Sequence, residues 1–315
     1  MEETREEEET SEIKASSSTS NTKKEEEKAS GNSPTEDASC TGDTAEPTEK
    51  LQGEGQNKLS LITWNVDGLD REEQPERVQA LCHYLTTFSP DVVFLQELIQ
   101  PFVRLLDKCL AADYTFIKGG KERYFTGMFL KKSRITLLKS ETVAYQTSHM
   151  LRNLLVATVL FKGQKLCLMT SHLESSKANA AERMRQLQLV MDRMSKEPDD
   201  VTVLFGGDTN LRDAELNEVD FPGSVCDVWE QLGKPGNCCY TRDTVANTNN
   251  SKQYKRFRFD RVYLRPAAAD GVPQLEPDSM ALVGLEKLRC GRFISDHWGI
   301  YCTFSADWTC RENTN

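Results

Sequence analysis

Short apolar runs with strand character recur along this chain, and they limit its fold more than any other feature. The first run is Leu59–Trp64 and the second is Asp91–Gln96, and apolar residues at helical spacing lie between them from Val78 to Leu85. A strand, a helix and a second strand in this order make a β-α-β unit. The pattern therefore predicts buried sheets with helices packed on their outer faces.

After residue 100 the chain adds two helical patterns and most of its strands. The helical patterns lie near Phe102–Leu110 and at Ala180–Met194. Strand-like runs are predicted at Tyr114–Lys118, Tyr124–Leu130, Leu154–Phe161, Lys165–Ser171, Val201–Phe205, Phe259–Leu264, Met280–Leu285 and Trp298–Phe304. About ten strands are more than one twisted sheet holds comfortably, so we expect an α/β fold with two packed sheets.

Composition divides the chain near residue 57. Residues 1–57 contain no aromatic residue, and their 16 acidic and 6 basic side chains give a net charge of −10. Such a segment has too little apolar surface to offset the entropy of ordering, which predicts a disordered acidic tail at 1–57 and a catalytic domain at 58–315. The whole chain also carries −10. The domain is therefore neutral, and its charge does not exclude binding of a polyanion.

Polar motifs flank five of the predicted strands, where α/β enzymes keep their active sites. The motifs are Thr63-Trp64-Asn65-Val66-Asp67-Gly68, Gln96-Glu97, Ser171-His172-Leu173-Glu174-Ser175, Gly206-Gly207-Asp208-Thr209-Asn210 and Ser295-Asp296-His297-Trp298. Carboxylate oxygens suit Mg²⁺, and an aspartate beside a histidine can tune the imidazole or share a metal. Each motif alone is as typical of a turn, a cap or a strand-end carboxylate that faces water.

Taken in order, T-W-N, Q-E, S-H-L-E, G-D-T-N, R-F-D and S-D-H form one set in which every member lies beside a strand. The set resembles the exonuclease–endonuclease–phosphatase superfamily over nearly all of residues 58–315. The resemblance implies a four-layer α/β/β/α sandwich with two packed mixed sheets. The superfamily includes abasic-site endonucleases, deadenylases, inositol polyphosphate phosphatases and neutral sphingomyelinases, so these motifs alone do not select a substrate.

Longer stretches of sequence around the motifs indicate one group of enzymes within this superfamily. TWNVDGLD, SHLES, GGDTNLRD and GLEKLRCGRF are similar to phosphodiesterases that remove a protein tyrosine left on 5′ DNA ends by topoisomerase 2. By this resemblance Glu97 would hold Mg²⁺, which Mn²⁺ could replace, and Asp67 would support it.

The same resemblance implies roles for five residues in the chemistry. Asp208 would accept the proton of the attacking water. Asn65 and Asn210 would hydrogen-bond this water or a phosphate oxygen. His297 would contact the phosphate and stabilise its charge, and Asp260 would orient His297.

A further set of residues is implied to contact the DNA substrate. These residues are Tyr124, His172, Ser175, Lys177, Arg212, Arg242 and Phe259. Arg242 departs from the relatives, which carry an aromatic residue at this place, although a guanidinium can also stack on a base. A ubiquitin-binding domain, found at the N-terminus of relatives, is not expected because residues 1–57 lack its apolar pattern.

Other functions share parts of this pattern. A phosphodiesterase or phosphatase of the same fold could act on RNA, inositol phosphates or abasic DNA, whereas a lipid enzyme would need a membrane-attaching segment, and none is evident. A non-catalytic scaffold would have no physical need for all of the motifs. No apolar run reaches the roughly 18 residues of a membrane span. We therefore expect a monomeric hydrolase of DNA in the nucleus, with a further pool in the cytoplasm.

Overall fold

The computed structural model describes residues 57–249 and 254–307. The predicted tail at 1–57 lies outside this part except for Asn57. The helices are α1 (Gln74–Phe88), α2 (Gln100–Leu110), α3 (Ala180–Lys196) and α4 (Val228–Gln231). The strands are β1 (Leu59–Asn65), β2 (Val92–Ile99), β3 (Tyr114–Gly119), β4 (Tyr124–Lys131), β5 (Ile135–Ala144), β6 (Asn153–Phe161), β7 (Gln164–His172), β8 (Thr202–Asp208), β9 (Cys226–Asp227), β10 (Arg242–Asp243), β11 (Arg256–Phe257), β12 (Asp260–Arg265), β13 (Glu276–Val283) and β14 (Gly299–Ser305).

The long strands form two six-stranded mixed sheets. The first sheet has the order β13-β14-β1-β2-β4-β3, in which β1 and β2 are parallel and the other pairs are antiparallel. The second sheet has the order β5-β6-β7-β8-β12-β9, in which only β7 and β8 are parallel. The strands β10 and β11 form a separate two-stranded ribbon. The prediction of two mixed sheets is therefore confirmed.

The inner faces of the two sheets pack against each other and form the central core. Leu61 and Phe94 of the first sheet share this core with Leu168 and Leu204 of the second, and all four are fully buried. Burying each such side chain stabilises the fold by about 1.5–3 kcal/mol. Two further clusters join α1 and α2 to the outer face of the first sheet, and α3 to the outer face of the second. These layers confirm the expected α/β/β/α sandwich.

Strand β5 is an element that the sequence pattern does not predict. It lies at the edge of the second sheet, and most of its side chains are exposed, including those of Lys139, Ser140 and Glu141. An exposed edge strand needs no apolar run, because only its backbone must pair with its neighbour. No helix among the described residues combines the length and the apolar character that a membrane crossing needs.

Candidate active site

The strand register brings the predicted motifs together at one edge of both sheets. In the first sheet Asn65, at the end of β1, pairs with Gln96 of β2. In the second sheet Asp208, at the end of β8, pairs with His172 on one side and with Asp260 on the other. Because the sheets pack face to face, the two groups meet, and Asn65 reaches Asp208 across 143 positions of sequence.

The Asn65 amide links the two sheets. Its Nδ2 donates to Glu97 Oε1 and to Asp208 Oδ2, both at 2.8 Å. Its Oδ1 accepts the backbone N–H of Asp67 at 3.0 Å, which fixes the orientation of the amide. A neutral group thus holds two carboxylates close together without adding charge.

The backbone is in the left-handed region at three residues of the site. The angle φ is 45° at Asp67, 61° at Glu97 and 52° at Asn210, which is uncommon for residues other than glycine. Glu97 lies where the register of β2 against β4 shifts, and such bulges re-aim side chains. Asn210 donates its backbone N–H to Asp208 Oδ1 at 2.9 Å, and its Nδ2 donates to Leu173 O at 3.3 Å. Tertiary contacts therefore hold this conformation in place.

His297 lies in the loop before β14 and faces Asp208. Its Nδ1 is 2.7 Å from Asp260 Oδ2, and its Nε2 is 3.9 Å from Asp208 Oδ2. The hydroxyl of Thr241 accepts the backbone N–H groups of Phe259 and Asp260, which fixes the start of β12. Burial works to lower the pKa of His297, but the charges of Asp260 and Asp208 raise that pKa to about 10. His297 is therefore a cation at neutral pH, suited to contact an anionic phosphate.

His172 is neutral, and Arg152 sets its tautomer. Arg152 Nη1 lies 3.0 Å from His172 Nδ1. A guanidinium can only donate, so Nδ1 accepts and Nε2 carries the proton. Burial, together with the charge of Arg152, lowers the pKa of His172 well below its ordinary value. The protonated Nε2 lies 3.4 Å from Asp208 Oδ2 and 3.9 Å from Glu97 Oε1.

Three carboxyl groups of the site lie in buried surroundings that disfavour their ionised form. Burial is the main cause for each, and it raises the pKa of Asp67 to about 7, the pKa of Asp208 to about 6, and the pKa of Glu97. The negative charge of Asp296 adds to the effect at Asp67 and Glu97. A divalent cation bound among these groups would offset their mutual repulsion.

Two groups of side chains in the described part place potential metal ligands close together. Their ligand atoms lie within 4.8 Å of one another in Glu97, His172 and Asp208, and in Asp208, Asp260 and His297. The second group is an ion pair around a protonated imidazole, which has no lone pair for a metal. In the first group the protonated Nε2 of His172 faces the carboxylates, so the oxygens of Glu97 and Asp208 are the atoms that can face a cation. This donor set fits a hard divalent cation.

Two of the predicted DNA-contacting aromatic residues flank this centre. The Tyr124 hydroxyl is 3.5 Å from His172 Nδ1. Phe259 is buried, stacks on Phe257 with ring centroids 4.5 Å apart, and has the Arg212 guanidinium 5.9 Å from its ring centroid. Arg212 and Phe259 thus lie together, on the side of the site formed by β12.

The remaining predicted DNA-contacting residues lie at the rim. Ser175 is half-buried with its Oγ 3.2 Å from Met150 Sδ, and Lys177 is exposed. Arg242, at the start of β10, pairs with Asp296 at 2.9 Å. The roles of all these residues in substrate binding stay predictions.

Several residues support the site through contacts that the sequence did not predict. Arg77 of α1 is fully buried and donates to the carbonyls of Val66, Asp67, Asp70 and Ile294. Gly68 packs so closely on β2 that a Cβ there would lie 2.1 Å from Glu97 O. Arg152 and Thr241 complete this set. For Arg77 the sequence did carry a signal, because an arginine lies four positions before Leu81 on the apolar face of α1. Nothing local marks the partners of Gly68, Arg152 and Thr241.

Comparison with known proteins places this geometry in a family. A model of the Endonuclease/Exonuclease/phosphatase family matches residues 62–297. The chain belongs to this family. The family match, together with relatives that are named phosphodiesterases, makes the chain a phosphodiesterase of the hydrolase class and confirms the predicted enzyme class. The superfamily resemblance of the sequence is confirmed with it.

The chain is also similar to particular members of the family. It is 54% identical over 251 residues to tyrosyl-DNA phosphodiesterase 2 of Danio rerio, covering 79% of this chain and 67% of the relative. It is 48% identical over 258 residues to tyrosyl-DNA phosphodiesterase 2 of Homo sapiens, covering 81% of this chain and 70% of the relative. A crystal structure of the Danio rerio protein complexed with single-strand DNA product superposes with a TM-score of 0.76 at 54% identity, covering 79% of this chain and 99% of that chain.

Proposed function

We propose that this protein is a 5′-tyrosyl-DNA phosphodiesterase that uses Mg²⁺ to hydrolyse the bond between a 5′ DNA phosphate and a tyrosine of trapped topoisomerase 2. The observation that carries the proposal is the meeting of Asn65, Glu97, Asp208 and His297 at one edge of the two sheets, in a chain about half identical to proteins named for this activity. The complex of one such protein with single-strand DNA supports DNA as the substrate.

Glu97 would hold Mg²⁺ through its carboxylate oxygens, and Asp67 would add negative charge beside it, which leaves Asp208 to accept a proton. When bound, the ion supplies charge stabilisation at the phosphate and lowers the pKa of a coordinated water. Asn65 keeps the carboxylates of Glu97 and Asp208 in place, since its Nδ2 donates to both at 2.8 Å. Mn²⁺, which shares the preference for oxygen ligands, could replace Mg²⁺.

Asp208 would act as the general base toward the attacking water. Its elevated pKa makes it a better proton acceptor than an ordinary aspartate, and its Oδ2 faces the neighbouring sheet at the site. His297 would stabilise the negative charge that develops on the phosphate, because Asp260 keeps it protonated. His172 would donate its Nε2 proton to a phosphate oxygen, since Arg152 fixes that tautomer.

A substrate panel tests the proposal. The protein is offered 5′-phosphotyrosyl, 3′-phosphotyrosyl and abasic-site oligonucleotides and an inositol polyphosphate, each with Mg²⁺ and with chelator. We expect tyrosine release from the 5′ substrate only, and only with metal. Absence of release from the 5′ substrate would overturn the assignment, and turnover of another substrate would identify the correct member of the family.

The remaining aspects of the proposal follow from the substrate. An enzyme that repairs topoisomerase 2 adducts works where chromosomal DNA is, so we propose a nuclear location with a further pool in the cytoplasm. We also propose that the protein acts as a monomer, because one chain supplies every residue of the site. Fractionation of cells and light scattering of the purified chain test these two points.

A further inference from the structure

The ribbon of β10 and β11 places Arg242 beside the loop before β14, which carries His297. Thr241 accepts the backbone N–H of Trp298 at 2.7 Å and donates its own N–H to Phe257 O at 3.0 Å. The hydroxyl of Thr241 also binds the start of β12, which carries Asp260. One residue thus ties the ribbon both to the loop of His297 and to β12, so the position of Arg242 is fixed relative to the active site.

The guanidinium of Arg242 is held on one edge only. Its Nε and Nη2 donate to the same oxygen of Asp296, Oδ2, at 3.3 Å and 2.9 Å. Within the part of the chain that the structure describes, no hydrogen bond from Nη1 is recorded, and the side chain is 27% exposed. The guanidinium therefore keeps donors for an acceptor outside the protein.

The charge of this guanidinium reaches the catalytic carboxylates. Burial works to lower the pKa of Arg242, but the charge of Asp296, with smaller contributions from Asp208 and Glu97, raises it above its ordinary value. Arg242 is thus a permanent cation at the rim of a site that takes a phosphodiester. A planar cation with unused N–H groups binds phosphate oxygens well.

We propose that Arg242 makes the enzyme favour substrates whose DNA strand continues beyond the scissile phosphate. It does so by donating from Nη1 to the phosphate between the first and second nucleotides of the 5′ strand. The inference rests on the proposed function, because it needs a DNA strand that continues beyond the scissile phosphate. Asp296 acts as the positioning residue, since it holds the opposite edge of the guanidinium. This mode differs from stacking of an aromatic residue on a base, because it recognises the charge of the strand and ignores base identity.

The test compares two 5′-phosphotyrosyl single-strand oligonucleotides with Mg²⁺. One has natural phosphates, and in the other the first internucleotide phosphate is an uncharged methylphosphonate. For the unmodified protein we expect the methylphosphonate to lower kcat/KM about tenfold or more, the size of one charge-assisted hydrogen bond. Arg242→Gln should lose a similar factor on the natural strand and lose nothing further on the methylphosphonate. Its log–log salt slope for DNA binding should be shallower by about 0.7.

Two further variants serve as controls for this test. Arg242→Lys keeps the charge and should retain part of the discrimination, which covers the case in which the glutamine variant does not fold. Lys108→Gln, on the exposed end of α2, removes a cation away from the site and should leave the discrimination unchanged. Thermal melting of each variant establishes that it is folded.

Other outcomes would overturn the inference. If Arg242→Gln and the methylphosphonate lower kcat/KM by independent factors, Arg242 does not bind this phosphate. If Arg242→Gln lowers the rate equally on both strands and raises the Mg²⁺ requirement, the residue acts only through Asp296. If the unmodified protein releases no tyrosine from the natural strand, the proposed function itself has failed, which is a distinct result.

Discussion

Replacing Asp208 with asparagine tests the chemistry with the smallest change in shape. Both oxygens of Asp208 accept hydrogen bonds in the structure, Oδ1 from Asn210 N at 2.9 Å and Oδ2 from Asn65 Nδ2 at 2.8 Å. An amide offers one oxygen and one NH₂ group, so whichever way it is turned, one N–H donor faces another. The buried donor left without an acceptor should cost about 1–3 kcal/mol of unfolding free energy.

The effect on turnover should be larger than the effect on stability. The amide cannot accept a proton from water, and loss of a general base lowers the rate by about 10²–10⁴-fold, which is roughly 2.7–5.5 kcal/mol in the activation barrier. The affinity for DNA should be unchanged or higher, because the substitution removes a negative charge beside a phosphate. The expected result is a folded protein that binds DNA and does not cleave it.

Single-turnover release of tyrosine from a 5′-phosphotyrosyl oligonucleotide measures the rate, and fluorescence anisotropy measures DNA affinity. Asp107→Asn on the exposed face of α2 is the matched control and should behave as the unmodified protein. Turnover of Asp208→Asn within about tenfold of the unmodified rate would refute the base assignment. Recovery of the rate at high Mg²⁺ would show instead that Asp208 serves as a metal ligand.

Three other substitutions have expected outcomes. Arg77→Met removes the buried cation that binds four carbonyls, so the free energy of unfolding, measured by urea denaturation, should fall by about 3–5 kcal/mol. Arg71→Met, on the exposed loop, is the control and should not change it. Gly68→Ala places a Cβ 2.1 Å from Glu97 O, so the end of β2 must move and both the melting temperature and the turnover rate should fall. Glu97→Gln removes a ligand charge, so the Mg²⁺ concentration for half-maximal rate should rise about tenfold or more; an unchanged metal titration would exclude Glu97 as a ligand.

The sequence was sufficient to predict the layers and the edge at which the site lies. Strands buried on both faces read as continuous apolar runs, which made β1 and β2 visible. Each polar motif lies just after or just before its strand, so once the strands pair, the motifs meet at one edge of the sheets. Strand β8 extends beyond its predicted end through two glycines to Asp208, because its backbone pairs with β7 and β12 as far as that residue.

The partners of individual side chains were not predictable, because they come from distant parts of the chain. Asn65 lies 143 positions from Asp208, and Arg77 lies 217 positions from Ile294, whose carbonyl it binds. The tautomer of His172 depends on Arg152, which is 20 positions away on the far side of β6. A pattern of residue types identifies which strand ends carry polar groups, but it does not identify which donor each acceptor receives.

Arg242 illustrates how an unpredicted hydrogen-bond partner changes the inferred function of a side chain. From the sequence alone, an arginine in place of an aromatic residue suggested that a guanidinium could stack on a base in its stead. In the structure its Nε and Nη2 bind Asp296, which lies 54 positions away and next to His297. An arginine fixed at one edge by a carboxylate presents donors at its other edge, and donors suit a phosphate oxygen better than they suit the face of a base. Arginine in place of an aromatic residue at position 242 therefore predicts recognition of the charge of the strand. Salt weakens such recognition, and a neutral phosphate analogue abolishes it, which distinguishes it from stacking on a base.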